Sequence, residues 1–179
     1  MTTPARVPSD PALAKPFTET TRFKVMRTLV GASNPLIAAV LRRGSGGPMA
    51  KQLTLLRFRG RRSGRWYETP IGYVRDGDTV VLVTSPGYSW WRNVRDGADV
   101  DLRLDGAWRT GHARIVRPDD PAYDETVALQ VARRGPGMLR TSGVQVDDTG
   151  HVPPEAREAA AAAAHIVRVE LGGAAPDRR

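Results

Sequence analysis

Between residues 52 and 116 the chain alternates short apolar runs with turn-forming residues, a spacing that predicts strands rather than helices. Five strands are expected, over 52–58, 65–74, 79–84, 100–105 and 108–116. Asp76-Gly77 and Asp105-Gly106 fall between consecutive runs. Such dipeptides mark tight hairpins, because glycine accepts the positive φ of a primed turn. A sixth strand is expected over 165–171. Six strands this close in sequence pair antiparallel, and closing them on one another hides edges that would otherwise recruit other chains.

Helical periodicity lies outside this core. Phe23, Met26 and Val30, then Leu36, Ala39 and Val40, predict two short amphipathic helices within 17–43, which end at the Gly44–Pro48 cluster. One short helical insert interrupts the strands at 89–95, with Ser89 placed to cap it. Helices are also expected over 119–133 and 156–164. The stretch 135–154, with three prolines and four glycines, reads as a long loop and a candidate lid. The expected organisation is a disordered leader over 1–16 and one domain over 17–172. Within the domain, 17–43 holds the N-terminal helices, 50–117 the barrel core, 118–164 helices and the long loop, and 165–171 the last strand. Residues 173–179 form a flexible tail. The fold class is mainly β with helical additions (α+β), a partly closed barrel of about six antiparallel strands.

Composition narrows the chemistry. The absence of cysteine excludes thiolate catalysis, disulfides and cysteine-ligated metals. His112, His151 and His165 are far apart and show no HxxxH or HExxH spacing, so no metal site is expected. No GxSxG elbow supports a Ser-His-acid hydrolase. The opening residues lack a signal-peptide core and no run is long enough to span a bilayer, so a cytoplasmic location is expected. Arg22, Lys24, Arg27, Arg42 and Arg43 flank the apolar stripe of the N-terminal helices. That pattern allows peripheral contact with an anionic membrane face.

The net charge of +8 is concentrated in the first 75 residues. Its densest part is Arg57, Arg59, Arg61, Arg62 and Arg65, which surround the turn at Gly60–Gly64. Guanidinium forks grip phosphate and carboxylate bidentately, and the glycines let backbone N–H groups approach an anion. A solvated turn is the plain alternative. Single-stranded nucleic acid fits less well and no nucleic-acid partner is expected: strand alternation sends Trp66 and Tyr67 to opposite faces, so they cannot share one stacking platform. Trp90 and Trp91 project about 100° apart on a helix. One belongs to the core, and the other, with Arg92 and Asn93, is placed to line a flat aromatic ligand; the alternative is that both simply seal the barrel end.

Read in order, Gly60-Arg61-Arg62-Ser63-Gly64, Thr69-Pro70, Tyr73–Asp78, Ser85 and Trp90-Trp91-Arg92-Asn93-Val94 resemble the deazaflavin-dependent nitroreductase and quinone reductase family, which uses coenzyme F420. The resemblance covers roughly residues 50–116. It implies a split β-barrel related to the FMN-binding barrels. It also implies hydride transfer from the reduced deazaflavin to an electron-poor small molecule of quinone, nitro or enone type. By position, Arg61, Arg62, Ser63 and Arg65 would hold the acidic tail of the cofactor. Tyr67, Thr69, Pro70, Ile71 and Gly72, with Val83, Thr84 and Ser85, would line its ring, and Trp90, Trp91, Arg92 and Asn93 would close the site. Ser85 is the one catalytic candidate.

Two departures stand out. Pro86 replaces the lysine that commonly follows the serine in the family, and no Tyr, Trp or Phe follows Tyr123, where substrate-facing tyrosines are found. FMN is the alternative cofactor, since its phosphate would also suit the arginines. A non-catalytic barrel that holds a deazaflavin or lipid is the alternative outside enzymes. Either a monomer or a homodimer fits the expected barrel.

Overall fold

The computed structural model describes residues 38, 39, 41 and 52–175. Six strands form one closed antiparallel barrel: β1 (Leu53–Arg59), β2 (Trp66–Asp76), β3 (Thr79–Thr84), β4 (Ala98–Leu104), β5 (Ala107–Val116) and β6 (His165–Ala174). Their order around the wall is β1-β2-β3-β6-β5-β4. Closure comes from β1 against β4, where Leu56 faces Leu102 and Phe58 faces Val100. The barrel is thus closed rather than partly closed, and β6 extends three residues beyond the expected end at 171, into the expected tail, by pairing with β5 as far as Arg109–Ala174. The β4–β5 turn requires left-handed backbone at both central residues, and Asp105 (φ 51°) and Gly106 (φ 78°) supply it.

Strand alternation sorts the side chains. Leu56, Phe58, Val80, Leu82, Val100, Leu102, Val167 and Val169 fill the interior together with Trp90 and Val94 from the insert. The opposite faces of β2, β3 and β6 offer Val74, Val81 and Ile166 to a second core outside the barrel. That core is covered by α1 (Tyr123–Arg134), α2 (Gly137–Thr141) and α3 (Arg157–Ala163).

The stretch 135–154 is more ordered than a long loop. It contains α2, buries Val144, Val146 and Val152, and is pinned by Asp147 Oδ1, which accepts hydrogen bonds from the Thr149 and His151 backbone N–H groups. These contacts make it a covering for the outer core. Similarly, the helix expected from 119 starts at Tyr123, because 118–121 forms a turn in which Asp120 accepts from the Ala122 N–H.

Ala38 and Leu41 are helical and pack with Leu55 on the outer face of β1. The remaining residues of the expected N-terminal helices, the leader and the last four residues lie outside the described residues. No helix among the described residues is long and apolar enough to cross a membrane.

Candidate functional site

The hairpin joining β1 to β2 leans over one end of the barrel and faces the insert between β3 and β4. The insert is a single 3-10 turn, Trp90–Asn93, rather than an α-helix, and Ser89 makes no side-chain cap to it. The indole sets its position instead. Trp90 is buried, and its Nε1 donates to Thr84 Oγ1 at 3.2 Å. Asn93 then ties hairpin to insert. Its Oδ1 accepts from the Arg61 backbone N–H at 3.0 Å, and its Nδ2 donates to the Trp90 carbonyl at 2.9 Å.

Between hairpin and insert lies a cavity of about 900 Å³. Its floor is aromatic: Phe58 stacks on Tyr67 with ring centres 5.8 Å apart and 22° between planes, and meets Trp90 at 6.3 Å. Its rim is basic, with Arg61, Arg62, Arg92 and Arg95. Ser63 Oγ lies 3.1 Å from the Tyr67 hydroxyl and accepts from the Arg65 N–H, which fixes the turn over the floor. Gly60 makes room for this contact, since a Cβ there would sit 2.5 Å from Ser63 Oγ and 2.7 Å from the Tyr67 ring. A smaller cavity of about 670 Å³ on the hairpin's other side shares Arg61, Arg62, Ser63 and Asn93.

The five arginines of the hairpin divide by task. Arg57 pairs with Glu68 at 2.8 Å and lies 4.1 Å over the Trp108 ring. Arg59 donates to the Gly64 carbonyl. Arg61 pairs with Asp96 at 2.6 Å, which together with the Arg95 contact holds the Asp96 carboxyl below the usual carboxylate range; the hydrogen bond from Arg95 is the larger cause. Arg62 forms no ion pair with a described residue and lines both cavities, so it is the guanidinium most available to an anion.

The predicted site residues separate in the same way. Arg61, Arg62, Ser63, Tyr67, Trp90, Arg92 and Asn93 converge on the large cavity. The others line neither hairpin cavity. Arg65 projects from the turn into solvent, while Ile71 packs in the barrel interior and Val83 against the outer core. Thr69 Oγ1 turns to the Pro70 carbonyl, and a Cβ on Gly72 would face Arg134. Thr84 acts through Trp90. Ser85 Oγ accepts from the Gly87 N–H, so the serine shapes the 85–88 turn. Trp91 faces a different cavity. Sequence reasoning missed Arg95 and Asp96, which look there like an ordinary turn before Gly97.

The fold and the site together define a closed antiparallel barrel with an aromatic-floored, basic-rimmed cavity at one end. Residues 37–144 match the family model described as F420H(2)-dependent quinone reductase, and the chain belongs to that family. It is 33% identical over 82 residues to an F420H(2)-dependent quinone reductase of Mycobacterium tuberculosis, an alignment covering 42% of this chain and 54% of the relative. A Mycobacterium bovis relative matches at the same identity and coverage. The chain therefore spans about half the length of the curated relatives it matches. Among solved structures, an F420-H2 dependent reductase is similar with a TM-score of 0.47 at 17% identity, covering 67% of this chain and 95% of that one. The heme storage protein HutZ of Vibrio cholerae also has a TM-score of 0.47, at 14% identity, covering 77% of this chain and 89% of that one.

Proposed function

We propose that the chain is an oxidoreductase that uses coenzyme F420 and binds it in the cavity between hairpin and insert. The observation that carries this reading is the junction at Asn93, which brings the Arg62 guanidinium, without an ion pair to any described residue, and the Phe58–Tyr67–Trp90 floor to one cavity. Family membership supplies the identity of the cofactor. The residues present fit the group. Arg62 and Arg92 offer charge-assisted donors to a phosphate or glutamate tail, and the Gly60 gap keeps the turn close over the aromatic floor.

The bound deazaflavin would supply hydride chemistry to an electron-poor acceptor. The chain's own residues bind, orient and exclude water. Arg62 neutralises the acidic tail, and Arg61, already paired to Asp96, holds the turn that carries Arg62. Phe58 and Trp90 are buried and close the barrel end beneath the site, which keeps bulk water from entering below. Quinone-, nitro- and enone-type molecules are the acceptor classes to test, and the two departures at Pro86 and after Tyr123 argue against assuming nitro compounds first.

Titration of the purified full chain with oxidised coenzyme F420, followed by the coenzyme's fluorescence, tests the reading. Saturable binding is expected, with turnover of the reduced coenzyme on at least one acceptor. No binding at about 50 μM coenzyme, weaker than about −6 kcal/mol, would remove the proposal. Co-purified yellow flavin would instead favour FMN.

A further inference from the structure

The two adjacent indoles of the insert face different cavities. Trp90 closes the hairpin cavity, whereas Trp91 lines a second cavity of about 710 Å³ on the far side of the insert. This second cavity has two aromatic walls in contact: the Trp91 and His165 rings lie 4.1 Å apart, inclined at 56°. Both are held in place. Trp91 Nε1 donates to the Pro86 carbonyl at 3.4 Å, and His165 begins β6, paired with Thr84. Ile115, Ala161 and Ala164 add apolar surface.

The polar groups around it are unequally available. Arg157 is committed to both oxygens of Asp124, at 2.6 and 2.7 Å, and Arg95 is paired with Asp96. Arg117 is exposed on the loop after β5 and makes no ion pair with a described residue. Asp119 and Glu158 also line the cavity. Burial lowers the His165 pKa first, and the Arg117 and Arg92 charges add to that shift. An aromatic wall beside an available guanidinium is a setting for a flat ring with one negative group.

We propose that this cavity is a second binding site, for a flat aromatic acid, in which Trp91 and His165 form the ring wall and Arg117 takes the acidic group. The site is separate from the hairpin cavity and does not depend on which cofactor that cavity holds. Because the insert stands between the two, with only Arg95 lining both, a ligand in one leaves the other open.

The test is isothermal titration calorimetry of the full chain with 2-naphthoate and, as its uncharged counterpart, 2-naphthamide. One site is expected for 2-naphthoate, with about tenfold weaker binding of the amide. Arg117→Gln should reduce 2-naphthoate affinity by a similar factor, and Ala161→Phe, which fills the cavity from a half-exposed position on α3, should abolish it. Equal affinity for acid and amide, or unchanged affinity in both variants, would overturn the site. So would displacement of 2-naphthoate by saturating coenzyme F420, which would show a single shared cavity. Coenzyme binding is measured separately on the same proteins, so its failure would count against the cofactor and leave the 2-naphthoate result standing.

Discussion

The Arg61 backbone N–H donates to Asn93 Oδ1 at 3.0 Å, joining positions 32 residues apart. Through this bond a hairpin at one end of β1 is set against a turn that begins after β3. The same side chain spends its Nδ2 on the Trp90 carbonyl, so one amide orients both walls of the cavity. Asn93→Ala should therefore loosen the site more than the fold. One hydrogen bond of this kind is worth about 1 kcal/mol, roughly a fivefold loss of coenzyme affinity. Coenzyme fluorescence titration beside thermal denaturation would check it. A large drop in melting temperature with affinity intact would show that Asn93 serves the fold alone.

Arg61 and Arg62 are neighbours with different work. Arg61 is paired with Asp96 on the surface, whereas Arg62 has no such commitment among the described residues. Arg62→Glu should weaken coenzyme binding by more than about 1 kcal/mol and leave stability nearly unchanged. Arg61→Ala should lower affinity less and also shift the melting temperature. Comparing denaturation midpoints and dissociation constants for the two variants decides this, and equal effects on both quantities would refute the division.

Gly60→Ala tests the cradle. The added Cβ would come within 2.7 Å of the Tyr67 ring and 2.5 Å of Ser63 Oγ, distances that force one of them to move. Overpacking of this kind costs about 1–3 kcal/mol. Urea denaturation should show that loss, and Ser63→Gly in the same chain should recover part of it by clearing the nearer clash. No recovery would mean that the Tyr67 contact, rather than Ser63, limits the turn.

The barrel was legible because its signals are local. Thr79–Thr84 matches the expected strand at both ends, and Asp105-Gly106 turns the chain where the dipeptide indicates. Trp90 and Trp91 do divide, one indole buried and the other at a cavity, but Trp91 lines a different cavity from Arg92 and Asn93, which the expected helix groups with it. What the sequence concealed depends on distant partners. Asp96 claims Arg61 across 35 residues, and Thr84 fixes the Trp90 indole so that a 3-10 turn replaces the expected capped helix. The glycines and prolines of 135–154 obscured the periodicity that would have shown Val144, Val146 and Val152 turning inward. The resemblance places Thr69, Pro70, Ile71 and Gly72 on one ring wall as a run. A strand divides such a run between two faces, which is why Ile71 points into the barrel while Gly72 faces Arg134.

His165 gives the fold a pH dependence whose sign can be worked out. Burial is the first cause that lowers its pKa, followed by the Arg117 and Arg92 charges; Arg95, Arg157, Asp119 and Glu158 line the same cavity. Above the ordinary histidine value of about 6.5, the ring is neutral in folded and unfolded chains alike and contributes nothing to the slope. As pH falls below that value, the unfolded chain takes up the proton first, because the folded ring resists charging. Stability attributable to His165 is therefore present above about 6.5 and declines until the pH passes below the lowered folded-state value. His165→Gln should flatten this part of the stability curve relative to the parent, measured as urea midpoints from pH 7.5 down to about pH 5. An unchanged slope in the variant would mean that other groups, and not the ring against Trp91, carry the acid sensitivity.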